Sequence, residues 1–287
     1  YPGYVRPYTT ASALSNGWVW EIPLQTRKAL GYVHSSAFIS EEAARLEIRA
    51  FEGRQAESLD TGTVHFKVGH RAKAWARNCV CVGLSGNLIE PLESTGLYLS
   101  DLDIVMLADH FPFDDDSTAV AYRFNRVMAN RFYEILDFIN MHYCLTRRDD
   151  TEFWREVQKP ERINDRLRAK LEFWRTKIPS ASDFIDQRIP GQTDWSLPSA
   201  GLPGDHRPPV DTAGIFGLDS YEAILNGMDF LAEECDERFG KTRPVTPVPG
   251  IIIEHLQRAQ QAFPPHDAWL RQVVGMRDYR RVKGPGR

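Results

Sequence analysis

Apolar and polar residues alternate in the first part of the chain. Trp18, Trp20 and Ile22 occupy every second position, which predicts a strand over residues 17–23. Ser40 stands before a pair of glutamates, and this order is typical of a helix start. Three further strands are predicted at residues 31–39, 64–68 and 78–84.

From Asp114 onward the pattern changes to that of long helices. Apolar residues recur at three- and four-residue steps from Ser117 to Thr146, which predicts one long amphipathic helix. Asp150 and Thr151 can cap the short helix that follows. Other helices are predicted at residues 95–110, 163–174, 221–239, 251–263 and 269–276.

Prolines and glycines crowd residues 179–214, so no regular element is expected there. A loop of this length is usually a functional lid or a disordered segment. The pattern therefore predicts a mixed α/β part, residues 1–113. A mostly helical part that contains the loop, residues 114–287, follows it.

The composition excludes several classes of protein. The 287 residues carry 35 Lys and Arg against 39 Asp and Glu, a net charge of −4, which argues against a nucleic-acid-binding surface. No run approaches the ~18 consecutive apolar residues of a membrane helix. Four cysteines without a C-x-x-C pair favour a reducing, cytoplasmic setting. No histidine belongs to an H-E-x-x-H pattern, so no metal site is expected.

The stretch from Gly83 to Gly96 is the most informative for chemistry. A short apolar run ends at Gly83, and a proline-restricted piece then delivers Glu93 to the start of a helix. The first N–H groups of that helix, near Thr95 and Gly96, lack helical partners and lie at the positive end of the helix dipole. The position therefore suits a small anion. From spacing alone, an ordinary helix cap at Ser94 or Thr95 is the more common structure.

Two motifs carry a resemblance to a known family. The motif Trp18-x-Trp20-x-Ile22-Pro23 and the Glu-Pro-Leu-Glu-Ser-Thr-Gly segment at residues 90–96 resemble those of the flavin-dependent tryptophan halogenases. Further matches follow in the family's order. They are Asp137-Phe138-Ile139, His142-Tyr143 and Arg148-Asp149-Asp150-Thr151-x-Phe153-Trp154.

The resemblance implies an FAD-dependent enzyme of α/β plus α-helical class. The chain would hold the remainder of a monooxygenase-like flavin domain, followed by a helical substrate domain. Reduced FAD supplied by a flavin reductase, molecular oxygen and chloride or bromide would together produce the halogenating oxidant. The implied substrate is an electron-rich arene, either tryptophan or an indole, including one carried by a peptide.

The resemblance also implies roles for individual residues. Glu93 would be the active-site carboxylate, and Ser94 would be its neighbour in the catalytic site. The backbone N–H groups of Thr95 and Gly96 would bind chloride, which agrees with the anion site expected at the helix start. Leu84 and Leu97 would contact the flavin ring, while Trp18, Trp20, Ile22 and Pro23 form the signature motif. For the two tryptophans, filling a core is an equally good interpretation.

The chain departs from the family pattern in two respects. It has no G-x-G-x-x-G motif, and none of its lysines matches the position of the family's catalytic lysine. Because the sequence also starts at Tyr1 in the middle of a domain, we expect an N-terminal part of the protein to be missing. In addition, residues 215–221 and 226–230 lack the Phe-Trp pair that grips indole in halogenases of free tryptophan. This favours a larger indole, a peptide-borne tryptophan or another arene.

Two alternatives stay open at the level of the sequence. One is a flavin monooxygenase of related fold that hydroxylates an aromatic substrate. The other is a non-catalytic module in which the helices and the proline-rich loop bind an aromatic peptide.

Overall fold

The chain divides into two compact units, residues 1–61 with 236–287, and residues 62–235. Helices and strands are mixed in both. The boundary predicted after residue 113 lies within the second unit, and it stays a prediction about the domains of the whole protein. The computed structural model describes residues 8–24, 27–56, 59–113, 117–177, 179–180, 183, 215–230 and 250–273.

The first unit contains a three-stranded antiparallel sheet, in which the strands are hydrogen-bonded to each other in chain order. Gly17 opens the second strand with φ +152°, and a Cβ atom there would lie 2.0 Å from the carbonyl oxygen of Val33. Only glycine therefore fits at this close approach. The strands are β1 at Thr10–Leu14, β2 at Gly17–Pro23 and β3 at Lys28–His34.

Strand β2 confirms the strand predicted over residues 17–23. The burial is less one-sided than the alternation suggested, because Trp18 is 4% exposed and Val19, on the opposite face, is 0% exposed. The indole of Trp20 covers Gly31 on β3, where any Cβ atom would meet it at 2.1 Å. Trp20 therefore packs within this unit, and Trp18 is buried.

The strand predicted at residues 31–39 is wrong at both ends. Strand β3 starts at Lys28 and stops at His34 because the Phe38 N–H donates to the carbonyl oxygen of Ser35 and turns the chain. Helix α1, Glu41–Glu52, follows, and the Ser40 side chain caps it as predicted.

Helix α1 is tied to the sheet and to the turn between β1 and β2 through Glu47. Glu47 accepts hydrogen bonds from the Ser15 hydroxyl at 2.7 Å and the Tyr32 hydroxyl at 2.9 Å. Burial raises the pKa of Tyr32 to about 12, which keeps its hydroxyl protonated as a donor. Helices α7, Gly250–Ala262, and α8, His266–Val273, complete this unit.

Among the described residues of the second unit, the extended structure is limited to short strand pairs. Strand β5, Trp75–Ala76, pairs with β6, Cys79–Val80, around a turn in which Arg77 has φ 55°. Strand β4, Gly69–His70, pairs with β7, Asn87–Leu88. The strand predicted at residues 64–68 is wrong, since Val64 is 83% exposed and has no strand partner.

The strand predicted at residues 78–84 is also wrong. Only Cys79 and Val80 are paired, and Cys79 is exposed. The ladder ends at Val80, because the chain turns at Gly83, which has φ +60°, into a 3-10 helix at Gly83–Ser85.

One long helix, Thr118–Cys144, forms the centre of the second unit. Apolar side chains on its first part pack with β5 and with the helix at residues 95–109. Those on its last part pack with the helices at residues 165–174 and 218–227. The helices are α2 at Thr95–Asp109, α3 at Thr118–Cys144, α4 at Glu152–Val157, α5 at Asp165–Trp174 and α6 at Leu218–Gly227.

These helices confirm the predictions for residues 95–110, 117–146 and 163–174, apart from their end residues. Thr151 caps α4, with its side chain accepting a hydrogen bond from the Trp154 N–H. The helix predicted over residues 221–239 begins earlier, at Leu218, and its part beyond residue 230 lies outside the described residues. Most of the predicted loop 179–214 lies outside them as well. None of the helices described here is long and apolar enough to cross a membrane.

Candidate functional site

The segment from Glu90 to Gly96 links a 3-10 helix, Pro91–Glu93, to α2. Glu90 is extended, as residues before proline usually are. The Ser94 N–H closes the 3-10 turn on the carbonyl oxygen of Pro91 at 3.0 Å. Ser94 itself adopts the left-handed conformation, φ 55° and ψ 29°, and this reverses the chain into α2. Such a conformation is uncommon for a residue other than glycine and is costly to hold.

Ser94 does not act as an ordinary helix cap. Its side chain accepts no hydrogen bond from the first turn of α2, because a left-handed residue points its side chain away from that turn. No acceptor within the described ranges takes a hydrogen bond from the N–H groups of Thr95 or Gly96. The ordinary helix cap that the spacing made the more common structure is therefore not formed by Ser94.

The surroundings of these two N–H groups suit a small anion. Thr95 is 3% exposed, and its hydroxyl oxygen has no hydrogen-bond partner among the described residues. A Cβ atom at Gly96 would meet nothing within 4 Å, so the approach to the backbone is open. The dipole of the 15-residue helix α2 adds positive potential at this end.

Glu93 lies just before α2 and contacts the long helix α3. Its Oε1 atom is 2.9 Å from Nε2 of His142, and the two side chains are 34% and 13% exposed. Nδ1 of His142 lies 2.8 Å from the carbonyl oxygen of Phe138, one turn earlier in α3. The Phe138 ring stands edge-on to the imidazole at 5.0 Å. Glu93 is thus a partly exposed carboxylate in contact with a well-packed histidine.

The neighbouring residue of α3 holds the other end of the same segment. The Tyr143 hydroxyl donates a 2.6 Å hydrogen bond to Oε1 of Glu90. The Tyr143 ring packs against Phe153 and Trp154 of α4, with ring centroids 6.0 Å apart in both cases. His142 and Tyr143, consecutive residues of α3, therefore contact Glu93 and Glu90 respectively.

The turn before this segment is held by a buried acid of α2. Gly83 has φ +60° and donates its N–H to Oδ2 of Asp103 at 2.7 Å. Asp103 is 1% exposed, and burial raises its pKa to about 6. Leu84, next in this turn, is 73% exposed, and Leu97 in the first turn of α2 is 81% exposed. These are the two leucines that were predicted to contact a flavin ring, and both expose apolar surface.

The Asp-Phe-Ile motif of α3 has a packing role that spacing alone did not indicate. Asp137 is 1% exposed, and its Oδ2 pairs with Nε of Arg166 at 3.1 Å and Nζ of Lys170 at 3.0 Å. These pairs join α3 to α5, so they help to hold the end of α3 that carries His142. Burial lowers the pKa of Lys170, while the nearby Asp137 acts in the opposite direction.

The structure brings together Glu93, Ser94, Thr95 and Gly96, four of the residues singled out from the sequence. The signature residues Trp18, Trp20, Ile22 and Pro23 lie in the other compact unit, and their role stays a prediction. Sequence reasoning noted His142 only as part of a motif and missed Asp103 altogether. A search of the described residues finds no group of three His, Cys, Asp or Glu side chains that could hold a metal ion.

Comparison with known proteins gives one consistent family. The family model described as tryptophan halogenase matches residues 2–243. The tryptophan 7-halogenase KtzQ of Kutzneria sp. (strain 744) is 41% identical over 176 residues, which are 61% of this chain and 33% of KtzQ. The tryptophan 7-halogenase RebH of Lentzea aerocolonigenes is 29% identical over 275 residues, which are 94% of this chain and 49% of RebH.

The fold is similar to that of solved halogenase structures. A tryptophan halogenase from Shewanella frigidimarina NCIMB 400 superposes with a TM-score of 0.70 at 26% identity. The match covers 93% of this chain and 47% of that one. The chain thus spans between 33% and 49% of the length of the two curated relatives named above.

Proposed function

Because the chain belongs to the tryptophan halogenase family, we propose that it forms the part of a flavin-dependent halogenase that presents Glu93 and a halide site to an aromatic substrate. The proposed reaction replaces a ring hydrogen of an electron-rich arene by chlorine or bromine. Tryptophan or another indole, free or carried by a peptide, is the proposed substrate class. A flavin reductase is the proposed partner, since the reaction consumes reduced flavin.

One observation carries this proposal. A carboxylate anchored by His142 stands directly before a helix whose first N–H groups, at Thr95 and Gly96, have no acceptor in the described part of the chain. A proton acceptor and a halide site are therefore only a few residues apart. Both groups are needed for halogenation of a ring, whereas a hydroxylating enzyme or a peptide-binding module needs no halide site.

The residues present fit a flavin. The large apolar side chains of Leu84, on the turn at Gly83–Ser85, and Leu97, on α2, are exposed. These two elements pack together. A planar apolar ring system would cover them, with a gain of about 25 cal/mol for each Å² removed from water. When bound, reduced FAD supplies the electrons with which oxygen converts the halide into hypohalous acid. In this proposal residues 1–113 belong to the flavin domain and residues 114–287 to the substrate domain.

The halide would be held by backbone rather than by a charged side chain. The N–H groups of Thr95 and Gly96 point out of the N-terminal end of α2, where the helix dipole favours negative charge. Gly96 leaves room for the ion to approach the backbone, because it has no side chain. The buried hydroxyl of Thr95 is a third donor available to the same ion.

The role of Glu93 follows from the chemistry of aromatic substitution. The π electrons of the ring attack the halogen of hypohalous acid, the halogen–oxygen bond breaks, and its electron pair leaves with the oxygen as hydroxide, which takes a proton from solvent to become water. Glu93 then takes the proton from the substituted carbon, and the electron pair of that C–H bond returns to the ring. General-base assistance of this kind contributes roughly 10²- to 10⁴-fold to a rate. Its side chain is 34% exposed, so the proton it takes can pass on to water.

The proposal is tested by assaying the whole protein with FAD, a flavin reductase, NADH, oxygen and either chloride or bromide. Mass spectrometry of a panel of indoles and tryptophan-containing peptides reports whether a product gains halogen or oxygen. We expect halogenated product that disappears when the halide is left out. Hydroxylated product alone would favour a monooxygenase. Binding of an aromatic peptide without any turnover would favour a binding module.

A further inference from the structure

One nitrogen of the His142 ring has a defined protonation state. Nδ1 lies 2.8 Å from the carbonyl oxygen of Phe138. A carbonyl oxygen can only accept a hydrogen bond, so Nδ1 must carry a hydrogen. In a neutral imidazole only one ring nitrogen is protonated, and Nε2 would then present a lone pair.

The other nitrogen faces the Glu93 carboxylate. Nε2 lies 2.9 Å from Oε1 of Glu93, a normal hydrogen-bond distance. A lone pair on Nε2 and an ionised carboxylate oxygen would repel each other at this separation. One proton must therefore lie between the two atoms. Imidazole is a stronger base than a carboxylate, so the proton resides on Nε2 and the pair is an imidazolium and a carboxylate.

The two helices that carry the pair favour this charge state. His142 is in the last turn of α3, where the partial negative charge of the helix end stabilises a cation. Glu93 precedes the first turn of α2, where the partial positive charge stabilises an anion. A neutral carboxylic acid beside a neutral imidazole would gain from neither helix end.

The environment of His142 also fixes the direction of its ring. The imidazole packs edge-on against Phe138, whose ring stacks on Phe216 at 3.9 Å. Phe138 belongs to the apolar core between α3, α5 and α6. The bond from Nδ1 to the Phe138 carbonyl oxygen prevents rotation of the ring. His142 is therefore a rigid donor, while Glu93 is the more exposed member of the pair.

We propose that His142 is the positioning residue of the active-site carboxylate. As an imidazolium it holds Oε1 of Glu93, so that Oε2 is free to take the ring proton. This inference rests on the proposed halogenase function. Transfer of the ring proton to Oε2 leaves two protons on the pair. Glu93 then passes one of them to water through its exposed side, which restores the starting state.

The protonation state is tested first, because its measurement does not depend on turnover. The whole protein is labelled with ¹⁵N in its histidines, and NMR reports the protonation of each ring nitrogen at the pH of the halogenation assay. The His142→Gln variant identifies the signals of His142. We expect both nitrogens to be protonated in the wild type. In Glu93→Gln we expect only Nδ1 to be protonated, because the glutamine amide donates to Nε2.

Kinetics then separate positioning from packing. His142→Leu removes the donor, whereas His142→Gln keeps an amide N–H near the position of Nε2. We expect kcat to fall by about 10- to 100-fold in His142→Leu, because part of the rate contribution of the general base Glu93 is lost. The KM for the arene should change little. His142→Gln should recover part of this loss. Circular dichroism of both variants checks that they fold.

His110→Gln is the matched control. His110 makes the same kind of bond, from Nδ1 to the carbonyl oxygen of Met106 one turn earlier, at 3.0 Å. It lies at the far end of α2, and its replacement should leave kcat unchanged. The proposal is overturned if Nε2 of His142 is unprotonated in the wild type, or if a folded His142→Leu keeps the wild-type kcat. A wild-type protein that halogenates nothing would instead overturn the proposed function, and NMR would still decide the state of His142.

Discussion

The Tyr143 hydroxyl lies 2.6 Å from Oε1 of Glu90, and this hydrogen bond fastens the residue before the 3-10 helix to α3. The next residue back, His142, contacts Glu93 at the end of the same 3-10 helix. The end of α3 thus sets the orientation of the whole segment that leads into α2. Changes on α3 should therefore affect chemistry carried out by residues on another element.

Tyr143→Phe keeps the ring against Phe153 and Trp154 but removes the hydroxyl. We expect the free energy of unfolding to fall by about 1–2 kcal/mol, because a hydrogen bond to a charged, half-buried group is lost. We also expect a lower kcat, since the segment that carries Glu93 loses a hydrogen bond that attaches it to α3. Urea unfolding and steady-state kinetics measure these effects. Tyr122→Phe, on the exposed side of α3, is the control, and equal behaviour of the two variants would contradict the prediction.

Glu93→Gln should suppress halogenation and leave FAD binding intact. The substitution removes the charge and the proton-accepting ability of the side chain at nearly constant shape, so the loss should approach the roughly 10²- to 10⁴-fold contribution of a general base. Product formation followed by mass spectrometry, and flavin binding followed by fluorescence, provide the two measurements. Glu172→Gln, at an exposed position of α5, is the control. Loss of flavin binding in Glu93→Gln would assign Glu93 a structural role instead.

Gly96→Ala should raise KM for the halide without destabilising the protein. The added Cβ atom meets no described atom within 4 Å, and alanine is a better helix former than glycine by about 0.8–1.0 kcal/mol. The methyl group would instead occupy the approach to the N–H groups of α2. Initial rates against chloride concentration, together with thermal unfolding, separate the two effects.

Gly227→Ala is a matched control for that experiment. Gly227 ends α6, and a Cβ atom there also meets nothing within 4 Å. Its replacement should leave the halide KM at the wild-type value. If folded Gly96→Ala keeps the wild-type KM for the halide, the halide does not bind at the first turn of α2.

Asp103 should make the stability of the protein depend on pH. Its pKa is raised from 3.8 to about 6 by burial, so between these values the folded protein binds more protons at this site than the unfolded chain. The contribution of Asp103 to stability is therefore fully present below pH 3.8 and is lost as the pH rises through about 6. Asp103→Asn keeps an oxygen that can accept from the Gly83 N–H and removes the ionisation.

The pH dependence is measured by urea unfolding at a series of pH values between 4 and 7. The difference in unfolding free energy between wild type and Asp103→Asn should shift in favour of the variant as the pH rises. Asp101→Asn, exposed on the same helix, is the control and should show no such trend. A difference that stays constant over this range would mean that Asp103 does not change its protonation there.

The sequence by itself determined those parts of this protein that depend on local pattern. The three- and four-residue steps of apolar residues located α3, because helical packing needs that period within a single segment. The Ser40 cap of α1 was visible for the same reason. The motif at residues 90–96 placed a carboxylate and two helix N–H groups side by side, since neighbours in the chain stay neighbours in space.

Local pattern failed where the partner of a residue lies elsewhere in the chain. The apolar run at residues 78–84 predicted a buried strand, but only Cys79 and Val80 form a ladder, because Gly83 turns the chain into a 3-10 helix. No spacing rule indicated that Ser94 adopts a left-handed conformation and so leaves the N–H groups of α2 uncapped. That conformation is held by the 3-10 turn before it and by the contacts of Glu90 and Glu93 with α3.

Only the tertiary structure decided which groups act on Glu93. The packing of α3 against α2, α5 and α6 brings His142 to the carboxylate, and the buried pairing of Asp137 with Arg166 and Lys170 holds that end of the helix. Charge and hydrogen-bond complementarity act through space and not along the chain. A sequence can therefore name the carboxylate, but the fold selects the residue that contacts and orients it.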